Sequence, residues 1–140
     1  MDIFELSFSN KELQRREEAL RERVASITNK RKSEYFRELE EKIKDPDTYV
    51  ALCYSLGFGF HHLYLSHFLL FFLDLVASLI FWFQFLSLLM GDSYSIFGFL
   101  IFSYNISDFI LSLIFGGKIV WNHNLKTSDE ILKRFISEDL

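Results

Sequence analysis

Apolar positions along this chain first recur at helical spacing, then run together, then return to helical spacing. Leu13, Leu20, Val24 and Ile27 fall at intervals of seven, four and three, which gathers them on one stripe of a helix whose other face is mostly Arg and Glu. Ser9 and Glu12 have the spacing of a capping box and predict where that helix starts. The polar run Thr28 to Ser33 interrupts the stripe, and Tyr35, Phe36, Leu39 and Ile43 predict a second helical stretch. Asp45-Pro46-Asp47 predicts a stop and a restart, because the residue before a proline is pushed out of the helical region while proline itself suits a first helical position.

Three apolar segments follow. Tyr49 to Phe60 is short and gives way to the polar stretch His61 to His67, whereas Phe68 to Met90 and Ser95 to Phe115 are each long enough for the roughly 20 residues a bilayer core requires. Gly91 to Tyr94 between them is a tight turn without positive charge, and both chain ends are rich in Lys and Arg. The positive-inside tendency therefore puts both termini in the cytoplasm. The economical arrangement is a hairpin of two long transmembrane helices, with the first apolar segment re-entrant or packed at the inner interface. A three-span arrangement, in which the first helix runs on through His61 and His62 to Leu65, also fits the pattern. Beyond Gly116-Gly117, Lys118 and Trp121 suit the headgroup region. Thr127 and Glu130 repeat the capping-box spacing ahead of Ile131, Leu132, Phe135 and Ile136, predicting a short amphipathic helix that packs on the membrane surface or on the N-terminal arm. The expected fold is an all-α membrane protein in three parts: a charged helical arm (1–45), a membrane domain (46–117) and a short C-terminal arm (118–140).

Composition sharpens this picture. All 15 Lys and Arg of the 140 residues lie at or before Lys44 or from Lys118 onward, and 17 residues are Phe. Such segregation marks a membrane protein, with the cell membrane, and specifically a bacterial inner membrane, as the expected location. The arms are nearly balanced in charge and show no basic face, so no nucleic-acid partner is expected. Cys53 is the only cysteine, which excludes an intrachain disulfide. The first 30 residues lack the apolar stretch of a secretory signal, so the later apolar segments themselves are expected to direct insertion. No nucleophile, base and orienting residue assemble into a catalytic motif, and the chain reads as non-enzymatic and without a cofactor.

The candidate chemistry lies inside the apolar block. Asp74 and Asp108 are carboxylates within the two long segments, where a charge is costly and normally faces the bundle or water. Counted from the intervening turn they differ by about one helical turn in depth, which predicts that they face each other or a shared polar cavity. His67 precedes Asp74 by seven residues, and Tyr104, Asn105 and Ser112 share a face with Asp108. Gly57 and Gly59 suit a close helix approach or a backbone break. The spacing of His61, His62 and His67 matches no known zinc signature, so these residues are read as interfacial histidines with satisfied hydrogen bonds and not as metal ligands.

The stretch from Gly57 through Gly59, His61, Tyr64 and Leu65, together with Asp108, resembles the motif of the TM2 domain family, with His62, Leu63 and Ser66 standing where that family has Arg, Phe and Gly. The resemblance covers the apolar block alone. It implies a small integral membrane protein with a short turn after the glycines and both termini on one side. The expected function is that of an adaptor, accessory subunit or oligomeric scaffold in the lipid bilayer. A protein partner or a second copy would engage the stripe Leu13, Leu20, Val24 and Ile27 in a coiled coil. The alternative is a small oligomeric channel or holin-like pore lined by the intramembrane Asp residues.

Overall fold

A computed structural model describes residues 9–55, 58–90 and 96–137. Every helix or strand element among the described residues is an α-helix: α1 (Asn10–Ser26), α2 (Asn29–Lys42), α3 (Pro46–Cys53), α4 (Phe60–Tyr64), α5 (Phe68–Leu89) and α6 (Ile96–Ser137). The chain divides into two compact units, Pro46–Gly116 and the described parts of Asp2–Asp45 and Gly117–Leu140. Gly57 and the turn at 91–94 lie outside the described residues.

The charged unit starts as its sequence dictates. The Ser9 hydroxyl accepts from the Glu12 amide at 3.2 Å and caps α1. Its core is Leu20, Val24, Tyr35, Ile131 and Leu132, with Ile27, Leu39, Leu125 and Phe135 packed against it, and Leu13 is buried as well. Leu20, Val24 and Ile27 of the stripe assigned above to a partner thus pack with the chain's own Ile131 and Leu132, which offer a matching apolar face in cis. Polar contacts fix the register. The Tyr35 hydroxyl pairs with Ser128, Arg23 with Asp129, and Arg134 with Glu38. Trp121 Nε1 donates to Glu17 at 3.1 Å. Asn124 accepts from the Lys44 amide and donates to the Lys44 carbonyl, each at 2.8 Å, tying down the segment that follows α2.

The apolar unit begins at Pro46, where the restart was predicted. Tyr49 on α3 is fully buried, and its ring lies 3.0 Å from where a Cβ at position 116 would sit, so Gly116 admits the ring into contact with α6. The first apolar segment carries no long helix among the described residues: α3 ends at Cys53 and α4 begins at Phe60. Contacts between α5 and α6 pair Asp74 with Tyr104, Ser78 with Asn105 and Phe81 with Phe102. Both helices are long and apolar enough to cross a membrane, and only 11% of the most apolar stretch of each is buried. Phe68, Leu69, Phe72, Phe83, Ile96, Phe97 and Ile114 are among the large side chains left on the outside.

One helix differs from expectation. Neither Gly116-Gly117 nor the Thr127–Glu130 spacing interrupts α6, which runs unbroken to Ser137. A helical glycine costs only about 1 kcal/mol relative to alanine, and Gly116 recovers contact with Tyr49. By Thr127 the preceding residues are already helical and held by Trp121 and Asn124, so no new helix start is needed.

Candidate functional site

Gly59 sets the site. It caps α4 in the left-handed region, φ +70°, and a Cβ there would stand 2.6 Å from Asp74 Cβ and 2.9 Å from Asp74 Oδ2. Only glycine lets the backbone bend at this point while lying directly on the carboxylate. The His62 amide then bonds the Gly59 carbonyl at 2.9 Å, starting the single turn that carries both histidines. That turn closes with Ser66 at φ 62°, the Ser66 amide on the Leu63 carbonyl and the His67 amide on the His62 carbonyl, each at 2.9 Å. This is the hydrogen-bond pattern of a Schellman ending. The chain leaves it directly into α5.

Four side chains from three helices converge. His62 Nε2 lies 3.1 Å from Asp74 Oδ2 and 3.4 Å from Asp108 Oδ1, and His61 Nε2 lies 3.2 Å from Asp108 Oδ2. One ligand-capable atom from each of the four falls within 4.8 Å of the others. His61, His62 and Asp74 are at most 4% exposed, and Asp108 is nearly as enclosed. Around them, the Tyr104 hydroxyl donates to Asp74 Oδ1 at 2.6 Å, the Ser112 hydroxyl sits 3.1 Å from His61 Nε2, and the Tyr49 ring meets the His61 ring edge-on at 5.5 Å. Asp74 Oδ2 and His61 Nδ1 are buried without a hydrogen-bond partner: His62 is near Asp74 Oδ2, but the two are not aligned for a bond.

His61 and His62 are therefore buried, where the sequence had suggested interfacial groups, and His61 Nδ1 lacks the hydrogen bond expected of it. They are the buried centre of the apolar unit, because the left-handed turn at Gly59 swings them inward. His67 sits at the start of α5, half-exposed and outside the cluster. Asn105 stands one step farther along, accepting from Ser78 at 3.3 Å and donating to the Ile101 carbonyl at 3.0 Å. Beyond it the polar contacts give way to an aromatic layer of Phe81, Phe85 and Phe102 with ring separations of 5.6 and 6.1 Å. Tyr64 is half-buried on α4. Ser112, Tyr104 and Tyr49 complete the surroundings. Tyr104 and Ser112 were visible as neighbours of Asp108 on one helical face, but nothing in local spacing points to Tyr49.

The charged unit contains a concavity of about 550 Å³, lined mainly by Leu20, Val24, Tyr35, Leu39 and Leu125. Glu17, Arg21 and Lys32 also line it, but the His–Asp cluster brings four ligand-capable side chains together in a buried place, and convergence of polar groups distinguishes a chemical site from a packing gap. No family model, curated protein or solved structure matches this chain.

Proposed function

We propose that the chain is a non-enzymatic integral membrane protein, an adaptor, accessory subunit or scaffold. In this reading α5 and the first half of α6 cross the bilayer as a hairpin, with both termini cytoplasmic. The observation that carries it is α6 itself: one helix of 42 residues whose first half is apolar and outward-facing and whose second half is built into a charged, folded unit. A helix of that kind joins a lipid-facing segment to a water-facing one without a linker. The charge segregation at Lys44 and Lys118 supports the inside placement of both arms. The partial resemblance to the TM2 domain family supports the same topology, and the location proposed with it is the bacterial inner membrane.

The test has two arms. Cysteines introduced one at a time at the exposed positions Glu130 and Thr28 in a Cys53→Ser background should resist impermeant labelling from outside intact cells, and labelling of Glu130→Cys alone would replace the hairpin with three spans. Lysine crosslinking in native membranes, read by mass spectrometry, should join Lys30, Lys42 or Lys126 to a second copy or to another membrane protein. Intrachain crosslinks alone would overturn the scaffold reading. Conductance of the purified protein in planar bilayers that is lost in Asp74→Asn and Asp108→Asn would favour an oligomeric pore instead.

A further inference from the structure

The geometry points to a metal site: we propose that His61, His62, Asp74 and Asp108 bind one divalent first-row transition-metal ion of the zinc type. Ligands about 2.0–2.1 Å from a tetrahedral ion stand about 3.3–3.4 Å from one another. The His62 Nε2–Asp74 Oδ2 and His61 Nε2–Asp108 Oδ2 separations of 3.1 and 3.2 Å match that spacing, and one ligand-capable atom from each of the four residues lies within 4.8 Å of the others, a spread that closing around an ion would tighten.

A pure ion-pair network explains the same atoms less well. A single His62 Nε2–H faces two carboxylates at once, and Asp74 Oδ2 receives no aligned donor although the side chain is 2% exposed. A buried charged acceptor left in that condition is costly. Asp74 Oδ1 is already engaged by the Tyr104 hydroxyl, which fixes the carboxylate plane and leaves Oδ2 aimed into the cluster. This is the arrangement by which an outer partner orients a metal-binding carboxylate. A dication also balances the two carboxylates while both histidines stay neutral, so the centre of an apolar unit carries no net charge. Imidazole nitrogen and carboxylate oxygen, without thiolate, suit zinc and its neighbours. Cys53 is directed elsewhere, its Sγ donating to the Tyr49 carbonyl at 3.3 Å. The route in lies past Asp108, whose side chain retains 14% exposure.

This inference stands apart from the scaffold reading, because metal content is measured whether or not a partner exists. The full chain, purified in mild detergent with an affinity tag other than polyhistidine, is stripped with chelator, reloaded with Zn²⁺ and dialysed. The expected result is one zinc per chain by elemental analysis, a rise in thermal midpoint on loading, and visible absorption of tetrahedral type when Co²⁺ replaces Zn²⁺. Asp108→Asn and His62→Gln should lose the bound metal. Tyr104→Phe, which retains the ring and removes only the hydroxyl, should weaken Zn²⁺ affinity about 10- to 100-fold. Wild-type protein that keeps its helical circular dichroism but retains no zinc after dialysis would overturn the proposal. So would undiminished zinc in a folded Asp108→Asn or His62→Gln variant.

Discussion

The two units solve one problem in opposite directions. In the charged unit a surface of Arg, Lys, Glu and Asp encloses Leu20, Val24, Tyr35, Ile131 and Leu132. In the apolar unit a surface of Phe, Leu and Ile encloses His61, His62, Asp74 and Ser112. Each buries the minority of its own composition: apolar side chains beneath a charged surface, polar ones beneath an apolar surface. The contrast teaches that burial by itself does not identify a site. Buried Leu132 is packing, whereas buried Asp74 requires a partner of its own.

The largest effect that sharpens this comparison is expected in the charged unit. Leu132 is fully buried, and Leu132→Ala should cost about 2–5 kcal/mol through lost transfer energy and the cavity left behind. In a Trp82→Phe background Trp121 is the only tryptophan, and its fluorescence in a urea titration should show the charged unit unfolding at lower denaturant. A change under 1 kcal/mol would mean that this unit is not held by its apolar core.

Next comes a contrast between two glycines. Gly59→Ala forces a Cβ to 2.6 Å from Asp74 Cβ at φ +70°, a clash that no flexible side-chain tip can relieve. It should cost at least about 1–2 kcal/mol from the left-handed backbone alone. Gly117→Ala meets nothing within 4 Å inside a helix and should stabilise by about 0.4–1 kcal/mol. Thermal unfolding in detergent, followed by circular dichroism, should move in opposite directions for the two. Equal shifts would remove Gly59 from its role in seating the cluster.

The sequence was legible where the signal is local. The Ser9–Glu12 cap, the restart at Pro46 and the two long apolar runs follow from spacing and composition alone, and each has its counterpart in the structure. Thr127 and Glu130 show the limit: they share the spacing of Ser9 and Glu12, yet lie inside α6 because the chain before them is already helical. A cap signal carries meaning only where a helix has reason to begin. The nearness of Asp74 and Asp108 was readable as shared depth, since a straight helix converts residue number into height. The capture of both by His62 was not. It depends on one left-handed residue at Gly59 turning a short helix inward, and on contacts among three helices that no local window contains.

A smaller gain is expected at the end of that short helix. Ser66 occupies a left-handed position at φ 62°, a conformation that costs a side-chain-bearing residue about 1–2 kcal/mol. Ser66→Gly relieves this but adds unfolded-chain entropy, so the net stabilisation should be at most about 1 kcal/mol. The thermal midpoint should rise slightly with zinc content unchanged. A fall would show that the Ser66 side chain itself supports the turn.

The smallest effect concerns the rim of the charged unit, where the comparison predicts that charge contributes little because water remains at hand. The Arg134 and Lys42 groups beside Glu38 hold its carboxyl below its ordinary value of 4.5. Burial pushes the Asp129 carboxyl up, but Lys133 and Arg23 outweigh it and hold the group below its ordinary 3.8. A carboxyl whose folded value is depressed stabilises the fold when ionised. That contribution is complete above the unfolded values near 4.5 and 3.8 and is lost as the pH falls through the lower folded values. The charged unit should therefore show constant urea stability from neutral pH down to about 5 and a shallow decline below. Exposed pairs of this kind contribute about 0.2–1 kcal/mol each, and added salt should flatten the decline. Arg134→Ala should remove part of the pH dependence while leaving most of the neutral-pH stability in place. A loss comparable to that of Leu132→Ala would mean that the charged unit, like the apolar one, depends on its polar contacts for its fold.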